Sequence, residues 1–159
     1  MIIIKDNAVN IFPTSKSNDL HFYEPLEFHN CMNLCRRLLD IAGKHYDLAD
    51  MEGYDFWCHT KIDGEGGLGW HIDRDELIKD YISTPICSIV WYRAVHDLQG
   101  GELIFDDGTV IVPKSNRLIM FDPMKAHMVN PYHGTRQSYN INPFNYHRLN
   151  VHREKVINS

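Results

Sequence analysis

Residues 69–76 read Gly-Trp-His-Ile-Asp-Arg-Asp-Glu. A histidine and an aspartate two positions apart point the same way on an extended strand, because side chains alternate across a sheet. His71 and Asp73 can therefore reach one point in space, and a metal ion suits an imidazole nitrogen and a carboxylate oxygen together. Isolated His-x-Asp pairs are commonplace on surfaces, so the reading needs a third donor. His127, in Met-Lys-Ala-His-Met-Val-Asn-Pro, supplies it. Two histidines and one carboxylate cover one face of an octahedral iron(II) and leave positions open for a cosubstrate and dioxygen. A closed structural zinc site would want a fourth protein ligand. None of Cys31, Cys35, Cys58 and Cys87 has ligand-like spacing to this set.

Nine residues beyond His127 stands Arg136, with Ser138 two further on and Asn140 and Asn142 continuing the same strand face. A guanidinium beside a hydroxyl receives a carboxylate through charge-assisted, often bidentate contact. A metal with open positions next to Arg136 in a barrel mouth predicts a small dianionic cosubstrate, one end on the ion and the other on the arginine.

The elements that must hold these groups are mostly strands. Apolar runs at Ile2–Ile4 and Val9–Phe12 read as short strands. Pro25 opens a helix whose stripe is Phe28, Met32, Cys35, Leu39, Ala42 and Tyr46, with Gly43 near its end. From residue 54 the pattern turns to β: strands at Tyr54–Ile62, Gly69–Asp73, Pro85–Tyr92, Glu102–Phe105, Val110–Val112, Asn116–Phe121, His127–Asn130 and Thr135–Asn142. A brief helix is expected over Asp75–Ile82. Gly100-Gly101, Asp107-Gly108, Pro113–Ser115, Asp122-Pro123 and His133-Gly134 are the joints. Many short strands at close spacing predict a mainly β sandwich or barrel with a supporting helix at its N-terminal end.

Composition bounds the rest. The chain has 159 residues, enough for one compact domain, and 43% hydrophobic with 23% charged residues is an ordinary globular balance. A net charge of −5 disfavours a nucleic-acid partner. The apolar run within Met1–Lys5 is too short for a signal core or a membrane span, so a cytoplasmic protein with no membrane partner is expected, and reduced cysteines fit that.

The ordered set His71-x-Asp73, His127, Arg136-x-Ser138 resembles the iron(II)- and 2-oxoglutarate-dependent oxygenases, nearest to their prolyl-4-hydroxylase-like branch. Ser-Ile-Val-Trp-Tyr ending at Tyr92, Gly-Gly-Glu-Leu-Ile-Phe at 100–105 and the Pro-x-x-Asn stretch within 112–123 match that branch in order, and the resemblance spans about residues 54–144. It implies a double-stranded β-helix (jelly-roll, cupin-like) barrel over 54–144, a supporting helix and strands over 1–53 and a tail over 145–159. It further implies Fe(II) on His71, Asp73 and His127. 2-Oxoglutarate would pair with Arg136 and hydrogen-bond to Ser138 and Tyr92, with O2 as co-reactant and ascorbate as an optional supporting reductant. Succinate and CO2 are the expected coproducts of hydroxylating an unactivated C–H bond. The substrate class stays open between a peptide or protein residue of prolyl type and a small amino-acid-like metabolite.

Trp57 and His59 share one face of their strand and are candidates for the substrate pocket, as are Trp70 and Arg74 beside the metal motif. The glycine-rich segment 63–69 is a candidate lid. Two branches are disfavoured: nucleic-acid demethylases carry Arg-x-Asn-x-x-x-Arg where this chain has Arg136-x-Ser138, and halogenating relatives lack the carboxylate that Asp73 provides. A metal-binding barrel without catalysis, serving sensing or structure, is the alternative.

Overall fold

The computed structural model describes residues 1–13, 20–60 and 66–148. Residues 61–62 at the end of the expected Tyr54–Ile62 strand, residues 63–65 of the candidate lid, and the part of the tail from 149 onward lie outside them. The described elements are β1 (Ile2–Lys5), β2 (His21–Tyr23), α1 (Met32–Ala42), β3 (Gly53–Thr60), β4 (Leu68–His71), β5 (Ser88–Gly100), β6 (Leu103–Phe105), β7 (Val110–Ile111), β8 (Leu118–Phe121), β9 (His127–Val129) and β10 (Tyr132–Phe144). They form a six-stranded sheet in the order β1-β8-β5-β10-β3-β2 and a four-stranded sheet in the order β4-β9-β6-β7. Every strand pairing among the described residues is antiparallel. The mainly β barrel read from the strand spacing is therefore the observed architecture.

The middle of the large sheet is buried on both faces, which is why β8 and the start of β5 read as apolar runs. Tyr54, Phe56, Cys58, Ile89, Trp91, Leu118, Met120, Tyr139 and Ile141 point to one side and pack with Leu34, Cys35, Leu38, Leu39, Ile41 and Ala42 of α1. The alternate residues Tyr92, Ile119 and Phe121 point the other way and pack with Leu103, Phe105, Ile111 and Val129 of the small sheet. Period-two alternation thus assigns each strand residue to the helix side or to the barrel interior. The site is built from the second set.

Several elements differ from expectation, each for a local reason. The helix begins at Met32, not Pro25, and Phe28 is 80% exposed. The segment before it is tied instead by His29, whose ring stacks on Tyr23 at 3.9 Å between centroids and whose Nε2 bonds the Tyr54 hydroxyl at 2.7 Å. Val9–Phe12 is not a strand. The Asn116 side chain takes the place of a strand partner, accepting from the Val9 N–H (3.1 Å) and donating to its carbonyl (2.7 Å). No helix forms over Asp75–Ile82. There Asp75 Oδ1 accepts the Leu77 N–H at 3.1 Å in an Asx turn, and the Asp75 N–H reaches the Ser83 carbonyl at 2.7 Å. His133-Gly134 does not end a strand but forms a bulge inside β10, where Gly134 holds φ +99°. Within the expected tail, Arg148 is buried between Asp55 and Asp75. No helix among the described residues is long and apolar enough to cross a membrane.

Candidate metal and cosubstrate site

The site begins with a cross-strand pair. His71 ends β4 and His127 opens β9, and the two are direct antiparallel partners. Residues opposite one another on a sheet project to the same side, and the two rings stand 4.3 Å apart between centroids. The register also sets Phe105 opposite His127, and Phe121 meets the His127 ring edge to face at 4.9 Å. His127 is 5% exposed and wedged in place.

Both rings are oriented from behind. His71 Nδ1 lies 2.7 Å from the Gly69 carbonyl, and His127 Nδ1 lies 2.8 Å from the Lys125 carbonyl. A carbonyl only accepts, so each Nδ1 carries its proton and each Nε2 presents a lone pair. Lys125 is itself fixed, its ammonium 2.7 Å from Asp107 and its N–H bonded to the Asp122 carbonyl at 3.0 Å. Burial pushes the His127 imidazole below the ordinary histidine range, with Asp73 opposing, so the ring is neutral at pH 7.

Asp73 arrives differently from the expected strand geometry. β4 stops at His71, so alternation does not aim the carboxylate. The turn does: the Asp73 N–H reaches the Pro123 carbonyl at 3.0 Å, and the Ser88 hydroxyl donates to Oδ2 at 2.6 Å. Oδ1 then lies 3.7 Å from His71 Nε2 and 3.6 Å from His127 Nε2. The three donor atoms fall within 4.8 Å of one another. Ligand bonds of about 2.0–2.2 Å to one ion put donors roughly 3–4 Å apart, a spacing that both Asp73–histidine distances meet.

A cavity of about 430 Å³ opens beside this cluster, lined by all three residues, by Trp57 and His59 of β3, and by Arg136, Ser138, Asn140 and Asn142 of β10. Arg136 is 3% exposed. Its Nε donates to the Gly101 carbonyl at 2.9 Å, its Nη2 donates to the Tyr92 hydroxyl at 3.2 Å, and its guanidinium lies 5.0 Å over the Tyr92 ring. Gly101 holds φ +78°, and a Cβ there would press on Arg136 Cδ at 3.0 Å. The double glycine thus lets backbone approach the arginine closely. Desolvation raises the Tyr92 phenol above its ordinary range despite the arginine, so it keeps a proton to donate. A buried cation lining the cavity, beside a phenol and a hydroxyl, suits a carboxylate.

The softer candidates divide. Trp57 and His59 line the cavity, as their shared strand face predicts. Trp70 is 56% exposed and does not line it, because alternation along β4 turns it away from His71. Arg74 also stays outside the lining, and its guanidinium caps the Ile78 carbonyl at 3.3 Å. Sequence reasoning missed Ser88, whose partner is distant in the chain, and the Gly101 carbonyl. The four cysteines are free and buried. Burial raises the thiol of Cys87 to about 12, so it is protonated and inert.

No protein-family model matches the sequence, and no curated protein matches it. Solved structures do. A prolyl-4-hydroxylase from Pseudomonas putida superposes with a TM-score of 0.60 at 20% identity, over 80% of this chain and 72% of that one. The viral collagen prolyl hydroxylase of Paramecium Bursaria Chlorella virus-1, in its 2OG complex, gives 0.63 at 15% identity over 90% and 95%. A prolyl hydroxylase from Trichoplax adhaerens, in complex with a hypoxia inducible factor oxygen degradation domain peptide fragment, gives 0.59 at 15% identity over 99% and 87%. The ordered motifs, the two antiparallel sheets and these superpositions agree that the chain has the double-stranded β-helix fold of the prolyl-4-hydroxylase-like oxygenases.

Proposed function

We propose that the protein is an Fe(II)- and 2-oxoglutarate-dependent dioxygenase that hydroxylates an unactivated C–H bond. The observation that carries this reading is the shared cavity, with His71, Asp73 and His127 beside Arg136, Ser138 and Tyr92-anchored positive charge. A purely structural metal site has no use for a buried arginine that pairs with no carboxylate among the described residues. When bound, iron(II) with 2-oxoglutarate supplies oxidative chemistry that activates O2 and leaves succinate and CO2. The chain's own residues do the rest. His71, Asp73 and His127 hold the ion on one face. Arg136 pairs with the distal carboxylate of the cosubstrate, and Tyr92 and Ser138 hydrogen-bond to it. Apolar walls from Val90, Leu103 and Val129 exclude water from the space between.

For the substrate we favour a residue of a peptide or protein, prolyl in type, over a small amino-acid-like metabolite. One structural neighbour is complexed with a peptide fragment, and the amides of Asn140 and Asn142 with the Trp57 ring line the cavity, a surface suited to a backbone amide and an apolar ring.

Anaerobic titration of the metal-free protein with iron(II) and then 2-oxoglutarate tests the reading by visible absorption. A weak charge-transfer band needing both is the expected result. In Arg136→Ala the band needs much more 2-oxoglutarate, by roughly 2–4 kcal/mol or about 30- to 1,000-fold, because a buried charge-assisted pair is lost. Iron binding without any such band overturns the reading and leaves a metal-binding barrel. Protons also compete for the His127 Nε2, and because burial pushes that imidazole below the ordinary histidine range, iron affinity falls as pH is lowered below about 6.5. A binding isotherm unchanged between about pH 7.5 and 5 contradicts histidine ligation.

A further inference from the structure

We infer that Ser88 is a positioning residue for the metal carboxylate, holding Asp73 so that Oδ1 alone is offered to the ion. The inference rests on reading His71, Asp73 and His127 as metal ligands, and adds the group that aims one of them.

Three observations carry it. First, Ser88 is fully buried at the start of β5, between the buried Cys87 and Ile89. A hydroxyl in such a place needs a partner, and the partner is Asp73 Oδ2 at 2.6 Å, a length typical of a charge-assisted O–H···O⁻ bond. Second, the two carboxylate oxygens have separate surroundings. Oδ2 is taken by Ser88, whereas Oδ1 is 3.7 and 3.6 Å from the two histidine Nε2 atoms. Third, Asp73 lies beyond the end of β4, so no strand geometry aims its side chain. The terminal torsion of an aspartate is broad, and the backbone contact to Pro123 fixes only the main chain. Ser88 is held by register, opposite Phe121 of β8. It therefore transmits the rigidity of the large sheet to a ligand carried by a turn. The Gly69 and Lys125 carbonyls do the same for the two imidazoles. Each donor residue then has one fixed partner behind it, the usual arrangement by which outer contacts tune a metal site.

The test uses cobalt(II) as the probe, titrated into the metal-free full chain and followed by its visible bands. Thermal unfolding of the metal-free protein is read in parallel. Ser88→Ala binds cobalt about 10- to 100-fold more weakly, and its bands move because Oδ2 is freed to approach the ion. Ser88→Thr keeps the hydroxyl and restores both affinity and band positions. Should Ser88→Ala fail to fold, Ser88→Cys is measured instead: its volume is close to that of serine and its thiol is a weak donor, so affinity falls in the same direction. Wild-type affinity and spectrum in a folded variant lacking the hydroxyl overturn the inference. So does a lower unfolding temperature with cobalt binding unmoved, which makes Ser88 a packing residue only. If the unaltered protein itself binds no cobalt, the metal-site reading fails and this inference falls with it, a result plainly different from the other two.

Discussion

Asp73→Ala eliminates iron loading at micromolar metal and with it all 2-oxoglutarate turnover, while the metal-free protein still folds. Asp73 contributes the only formal negative charge among the three donors, and its Oδ1 is the atom equidistant, within 0.1 Å, from the two Nε2 lone pairs at 3.7 and 3.6 Å. Two neutral imidazoles held as cross-strand partners cannot replace that charge. The loss in affinity therefore exceeds the roughly 10- to 100-fold that a supporting contact is worth. Folding survives because the backbone bond from Asp73 to Pro123 needs no side chain. The side chain's own link to Ser88 is one hydrogen bond to a charged group, worth about 1.5–3 kcal/mol. Isothermal titration with iron(II) under argon, with circular dichroism as the folding control, checks both halves. Undiminished iron binding by the variant removes Asp73 from the site. His127→Ala behaves alike in metal binding but costs more stability, since its buried ring is packed against Phe105 and Phe121.

Much of this site was legible because its geometry follows from short-range periodicity. Trp57 with His59, and Arg136 with Ser138, Asn140 and Asn142, share faces simply because strands alternate, and all six line one cavity. The double glycine was visible as a joint, although its use, to bring a carbonyl onto Arg136, needed the fold. What sequence reasoning lost were contacts between residues far apart in the chain. Alternation predicts that Asp73 shares the His71 face, but β4 ends two residues earlier, and Ser88 finishes the aiming. Phe28 fits the helical stripe by spacing, yet the helix starts only at Met32. Spacing cannot reveal that His29 is captured by Tyr23 and Tyr54. Asp75–Ile82 has helix-forming composition, yet Asp75 is drawn into a buried ion pair with Arg148, 73 residues away. No local signal marks that partner.

Arg148 carries the second large effect, on stability rather than chemistry. Its guanidinium is 5% exposed and bridges Asp55 of β3 and Asp75 of the segment that follows the metal motif, the latter at 2.9 Å. Tyr146 adds a 2.7 Å bond to Asp75 and a 2.9 Å bond to Ser83. Removing one partner of a buried ionic set costs about 3–5 kcal/mol, because the remaining charges stay desolvated. Arg148→Ala leaves two such carboxylates without their counter-ion. At about 2–4 °C per kcal/mol for a chain of this size, the midpoint of thermal unfolding falls by on the order of 10 °C. Asp55→Asn added to Arg148→Ala recovers part of the loss, since it removes one of the stranded charges, and this non-additivity separates an electrostatic clasp from lost packing against Phe144. Strict additivity, or a shift below about 2 °C, contradicts the clasp. The expected consequence reaches the site as well. Asp75 anchors the turn two residues beyond Asp73, so freeing it loosens the one proposed ligand that no strand holds, and iron affinity declines in Arg148→Ala even at temperatures where the barrel stays folded.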